Sequence, residues 1–259
     1  MASAPQAANL PLLYNDLVPL NSNEHGSWKT KGLANAKFMD GQHAIPLTVE
    51  EFIMASRNYP IIFSAAEQPV PLVLMGMNEG VNTFMDEEGM FTKQVYVPAY
   101  VRRYPFLLAK LRPDTDELSL CFDPTSGAIG EFDEGTPLFD ENKPSENTQN
   151  ILKFCEDFET AGEQTHGFIE ELIKLDLLMD GEVSIQQEGQ ETPYVYRGFK
   201  MVDENKLREL RGDTLRKLTQ NGILALIYAH LFSLQLMREI FAIQVQQGKV
   251  PQVTELPKA

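Results

Sequence analysis

The sequence predicts an α+β fold, with a small mixed or antiparallel sheet in the N-terminal half packed with a mainly helical C-terminal half. Three observations carry this. Short apolar runs punctuated by Gly, Pro and Asn cluster between residues 61 and 122, and helical periodicity dominates after residue 145. The composition, 43% hydrophobic and 23% charged over 259 residues, is that of a globular protein able to bury a large core without a disulfide framework.

Residues 1–45 mix Ala, Asn, Pro and Gly with scattered leucines, which predicts an irregular segment wrapping the surface, anchored by the single tryptophan, Trp28. TVEEFIMASRN at 48–58 is the first helix, since Thr48 and Glu51 have capping-box spacing and Val49, Phe52 and Ile53 share a face. The runs IIF (61–63), PLVLMGM (71–77), KQVYV (93–97) and LSLCF (118–122) read as strands of one sheet. PAYVRRYPFLLA at 98–109 reads as a short helix broken at Tyr104-Pro105, because a residue before proline avoids the α region.

Beyond the loop at 123–144, Ser145 caps a helix reaching about Thr160, with Ile151, Phe154, Cys155 and Phe158 on one stripe. A second helix is expected from about Glu163 to Met179. EVSIQQ (182–187) and TPYVYRGFKMVD (192–203) pair about a turn at Gly189. Asp203 and Asp213 are N-cap candidates, and the apolar stretch from Ile223 to about Val245 is one long helix, buried or shared between subunits of a homodimer. The domain reading is a wrapping segment at 1–45, one body at 46–246 with a division near 143 open, and a flexible tail at 247–259.

The formal charge of −15 disfavours nucleic acid and anionic lipid as partners. It is unevenly spread: residues 131–191 carry 3 basic and 17 acidic groups, whereas 192–259 carry 10 and 6. The 16-residue run GILALIYAHLFSLQLM at 222–237 includes His230, Ser233 and Gln235 and falls short of a bilayer span, so no membrane insertion is expected. Two cysteines, Cys121 and Cys155, and a start without a basic, apolar leader point to reduced thiols in a cytoplasmic protein.

Searches for chemistry end without a motif. Four dispersed histidines give no zinc signature, and a single ExxH, Glu163 to His166, is one quarter of a di-iron site. Phosphate-cradling glycine patterns and nucleophile elbows are absent, so neither a metal nor a cofactor is expected. The densest polar-aromatic cluster is Tyr96, Tyr100, Arg102, Arg103 and Tyr104. Adjacent arginines in an acidic chain need negative partners, either a bound anion or an internal ion pair to Asp86 or Asp123. His230 beside Tyr228 is either a hydrogen-bonded core histidine or a contact at a pocket floor.

Four stretches resemble the bacterial SapC family: HAIPLTVEEFIMASRNYPIIFS at 43–64, NTFMDEEGMFTKQVYVPAYVRRYPF at 82–106, GFKMVDENKLREL at 198–210 and NGILALIYAHLFSLQLMREI at 221–240. The second is the most specific, with Phe91 where tryptophan is expected. The resemblance implies an association with a bacterial surface layer and the company of flavin-dependent halogenases, cupin-like proteins and TonB-dependent receptors. It brings no established catalytic residues.

Together these readings favour a cytoplasmic accessory or binding protein that engages a protein partner or small anionic ligand and is linked to a surface or uptake system. The expected ligand contacts are Arg102, Arg103, Tyr96, Tyr104, Asp86, Asp123, His230 and Tyr228. The alternative is a motif-less enzyme using Asp86, Asp123, Tyr228 or His230 on a small molecule or peptide, in a pocket between sheet and helices.

Overall fold

The structure, a computed structural model, describes residues 10–112, 114, 117–186 and 193–249. The Gly189 turn, the first nine residues and the tail from 250 lie outside them. The fold is α+β. Its contacts divide the chain into two compact units interleaved in sequence, one from Met1–Met39 and Tyr100–Thr160, the other from Asp40–Ala99 and Ala161–Ala259.

In the first unit, Leu118–Phe122 is the central strand of an antiparallel sheet, with Val18–Pro19 on one side and Phe106–Lys110 on the other. Phe122 faces Val18 and Phe106 across the two ladders. Short strands Ile129–Gly130, Lys29–Thr30 and Thr136–Pro137 form a second small sheet. Phe106, Phe122, Ala128, Ile129, Leu138 and Cys155 make the core, and Trp28 packs on it, which is how an N-terminal segment poor in ladder bonds is held. His25 lies edge-on to Trp28 and Phe122, with ring centroids 4.6 and 5.2 Å away.

The helix Glu146–Lys174 begins as its sequence predicts: the Ser145 hydroxyl accepts the Thr148 N–H at 3.2 Å. The break expected near residues 160–163 does not occur, and no helix reaches Met179. Gly162 and Gly167 have open space around them, and the apolar stripe continues through Ala161, Phe168, Ile169 and Leu172. Burial of that stripe outweighs the cost of about 1 kcal/mol per interior glycine. Leu178 instead opens a strand.

The second unit holds a five-stranded antiparallel sheet in the order Leu178–Ile185, Tyr194–Val202, Ile61–Ser64, Pro71–Leu74, Ala44–Pro46. The expectation of one sheet for all the N-terminal apolar runs is corrected here, because Leu118–Phe122 pairs within the first unit. KQVYV forms no ladder either. The Tyr96 N–H donates to Asn58 Oδ1 at 3.0 Å, and its carbonyl accepts the Tyr59 hydroxyl at 2.8 Å, so its backbone is satisfied by side chains.

Thr48 and Glu51 do form a capping box, over a single turn Val49–Glu51 followed by Phe52–Ala55. Asp203 caps Glu204–Glu209 by accepting the N–H groups of Asn205 and Lys206. Asp213 is not a cap: the helix Gly212–Gln220 starts after Arg211, placing Asp213 in its first turn. The long apolar helix is two helices, Ile223–Ser233 and Leu236–Gln246. Ser233 donates its hydroxyl to the His230 carbonyl at 2.6 Å and accepts the Ile61 N–H at 2.8 Å, a local bond that competes with the helical ladder.

That apolar stretch is not completely buried. Phe232 is 66% exposed and stacks on the half-exposed Tyr228. By length and composition Ile223–Gln246 is apolar enough to cross a membrane, the one such stretch among the described residues.

Candidate functional site

A cavity of about 660 Å³ lies within the first unit. The short helix Ala99–Arg102 and the turn between it and Phe106–Lys110 supply Arg102, Arg103 and Tyr104, and the first turns of Glu146–Lys174 supply Asn147, Asn150, Ile151 and Phe154. The latter spacing, i, i+3, i+4 and i+7, lays four side chains on one helical stripe. The segment after strand Lys29–Thr30 adds Lys31 and Leu33.

Of the wall residues, Lys31, Leu33, Arg102 and Asn150 are exposed, whereas Arg103, Tyr104, Phe106, Ala128 and Cys155 are buried. Lysine and arginine contribute three wall residues, and no described wall residue is acidic. In a chain of net charge −15, that is a local reversal of sign.

Arg103 is only 8% exposed. Its guanidinium carbon lies 4.2 Å from the Phe158 ring centroid and 4.4 Å from that of Tyr100. Nη1 reaches Glu159 Oε1 at 3.5 Å, a long and half-exposed pairing. Nε is sealed from solvent and has no hydrogen-bond partner, and Asn147 Nδ2 is in the same condition. Each unmet buried donor costs about 1–3 kcal/mol, which marks both positions as places where an acceptor is missing.

Arg102 is differently placed. It is exposed, with its guanidinium carbon 5.3 Å from the Phe154 ring centroid. Tyr104 stacks on Phe38 at 4.2 Å, and burial, with Asp123 adding to it, pushes its hydroxyl up to about 12. Burial also pushes both free thiols, Cys121 and Cys155, up to about 11, as inert protonated core groups.

The other sequence candidates do structural work. Asp123 is fully buried: its Oδ2 accepts the Asn15 N–H at 2.8 Å, and its Oδ1 accepts from Thr125 N and Oγ1 at 2.8 and 2.6 Å. Asp86 is exposed and closes a loop by accepting the N–H groups of Glu88 and Met90. The carboxylate pairing with Arg103 is therefore Glu159, which sequence reasoning passed over because it lies a helix away, 56 residues along the chain.

Tyr96 donates its hydroxyl to Glu51 Oε1 at 2.9 Å, and the Ala99 N–H reaches the same oxygen at 2.6 Å. His230 has no exposed surface; its Nε2 accepts the Val202 N–H at 3.1 Å and its Nδ1 donates to the Ile61 carbonyl at 2.8 Å. Burial holds its pKa down at about 4, so it is a neutral core histidine. Tyr228 stacks on Phe232, with ring centroids 5.6 Å apart.

Among the described residues no group of three or more His, Cys, Asp or Glu could hold a metal ion. Asn147 and Lys31 are among the cavity residues that sequence reasoning missed, with Thr30, Thr136 and Asn150. The one available signal for Asn147 was its place one turn ahead of Ile151 and Phe154.

The SapC family model matches residues 20–240. The chain belongs to the SapC family. The match takes in the whole Arg102–Phe106 segment and the helix that faces the cavity, so both halves of the SapC chain's candidate site lie inside the family's extent. No significant match was found among curated proteins or among solved structures.

Proposed function

We propose that this SapC chain is a binding or accessory protein that takes a small anionic ligand in the cavity beside Arg102 and Arg103. The observation that carries the reading is the buried Arg103 Nε, left without an acceptor in a wall that holds three cations and no carboxylate. A preformed pocket of several hundred Å³ in which polar groups converge among apolar side chains is what small-ligand sites look like. The polar atoms of Asp123 and His230 are engaged in holding backbone, which favours binding over acid–base catalysis by those groups. The two free buried thiols fit a reducing compartment, and the surface-layer association that the resemblance implies makes a cytoplasmic protein serving a surface or uptake system the reading taken here.

The test is calorimetric titration and thermal shift of the full chain with small carboxylates, phosphates and sulfonates against amines and neutral amides. Anions raise the melting temperature, and the shift collapses in the double variant Lys31→Ser with Arg102→Ser, whose positions are exposed and tolerate the change. Equal shifts from amines, or anion binding that survives the double variant, refute the reading.

A further inference from the structure

Three helices of the second unit carry an exposed apolar face. Phe52–Ala55 and Gly212–Gln220 both pack on Ile223–Ser233. On the last of these, Tyr228 and Phe232 lie one turn apart, exposed and stacked on each other. On Phe52–Ala55, Ile53 and Met54 are exposed as well. The charges beside these side chains are of one sign. Arg216 and Lys217 on Gly212–Gln220, and Arg57 just past Ala55, are exposed and form no ion pair among the described residues. Elsewhere in the same unit Arg197, Lys206 and Arg208 pair with Glu182, Asp176 and Glu204. The one carboxylate on the three helices, Asp213, meets Arg211 at 3.4 Å.

The stretch Ile223–Gln246 is apolar enough to cross a bilayer, yet it is tied to the sheet. His230 bonds the backbone of Ile61 and Val202, Ser233 accepts the Ile61 N–H, and Gln244 Oε1 accepts the Met77 N–H at 2.9 Å. Spanning a membrane would strand those groups in hydrocarbon, so the apolar face is offered to a partner side-on.

We infer that this face docks peripherally on an anionic lipid surface, with Phe232, Tyr228, Ile53 and Met54 entering the headgroup region and Arg57, Arg216 and Lys217 meeting lipid phosphates. Aromatic and aliphatic side chains beside unpaired cations suit the boundary between headgroups and acyl chains. A second copy docked symmetrically through the same face would bring these cations toward their own equivalents, like charge against like. The net charge of −15 opposes adhesion by other faces, and salt screens it beyond about 8 Å, so the local cations set the orientation of approach. The inference is independent of the cavity, which lies in the other unit.

The test is co-sedimentation of the full chain with vesicles of phosphatidylcholine alone and of phosphatidylcholine mixed with phosphatidylglycerol, at low and high salt. Binding to the anionic vesicles alone, weakened by salt, is expected. Arg216→Ser with Lys217→Ser should weaken it by about tenfold or more, and Phe232→Ser by about tenfold. All three positions are exposed, and circular dichroism checks each fold. Phe232→Trp should introduce an indole that acyl-brominated phospholipid quenches, a signal that Trp28 in the wild type does not give. Absence of binding to the anionic vesicles, or binding that these serine variants leave unchanged, overturns the inference. A chain that ignores vesicles but is dimeric in light scattering, and becomes monomeric with Phe232→Ser, also overturns it and assigns the face to a second copy. Small-anion titration of Phe232→Ser should match the wild type, which keeps failure here distinct from failure of the cavity reading.

Discussion

The Arg103 guanidinium carbon stands 4.2 Å from the centroid of the Phe158 ring, one residue before the Glu159 carboxylate that meets Nη1 at 3.5 Å. One helical turn thus supplies both the π-face and the countercharge that keep a cation 92% out of water, and the remaining donor on Nε is left for something else.

Removing the countercharge separates stability from binding. Glu159→Gln keeps the shape but leaves the guanidinium uncompensated. It should destabilise the chain by about 1–2 kcal/mol in denaturant unfolding while tightening small carboxylates by roughly three- to tenfold. A variant that loses stability and affinity together contradicts the role given to this pair.

Glu51 collects four donors with one carboxylate: Thr48 N and Oγ1 at 3.0 and 2.9 Å, the Tyr96 hydroxyl at 2.9 Å and Ala99 N at 2.6 Å. A carboxylate only accepts, whereas an amide must turn its NH2 toward donors on one side. Glu51→Gln is expected to cost about 2–4 kcal/mol, and Tyr96→Phe about 1, read from chemical denaturation. A near-neutral Glu51→Gln would show that this junction is not held as drawn.

His230 couples stability to pH. Its folded pKa of about 4 lies below the ordinary 6.5, so the unfolded chain binds more protons between those values. Stability from this group is complete above about pH 6.5 and is lost as pH falls toward 4, by roughly 3 kcal/mol. Melting temperatures from pH 7.5 to 4.5 should fall more steeply for the wild type than for His230→Asn, which starts lower. Parallel curves would falsify the assignment.

The thiols should be silent. Cys121 and Cys155 are each 1% exposed and protonated at pH 8, so a disulfide reagent should modify neither in the folded chain and both on unfolding. Rapid labelling of Cys155 in the native state would mean that the cavity wall opens to solvent.

Local chemistry was legible in the chain itself. Capping depends on residues three apart, so Ser145, Asp203 and the Thr48–Glu51 box are recoverable without coordinates. Apolar stripes place Ile151, Phe154, Cys155 and Phe158 on one helical face for the same reason. The adjacency of Arg102 and Arg103 was likewise visible, and so was the need of two guanidinium groups in an acidic protein for negative or acceptor partners.

Sequence determined the family, the α+β class and the segment in which the candidate site lies. Tertiary structure decided which strands pair, that Leu118–Phe122 joins Val18–Pro19 and not Ile61–Ser64, and that one arginine is buried while its neighbour is not. Strand partners and ion pairs across tens of residues depend on which surfaces meet in space, and no short-range spacing encodes that. The same holds for the site: Asn147 and Arg103 become one wall only once the helix from Glu146 packs on the core around Phe106 and Cys155.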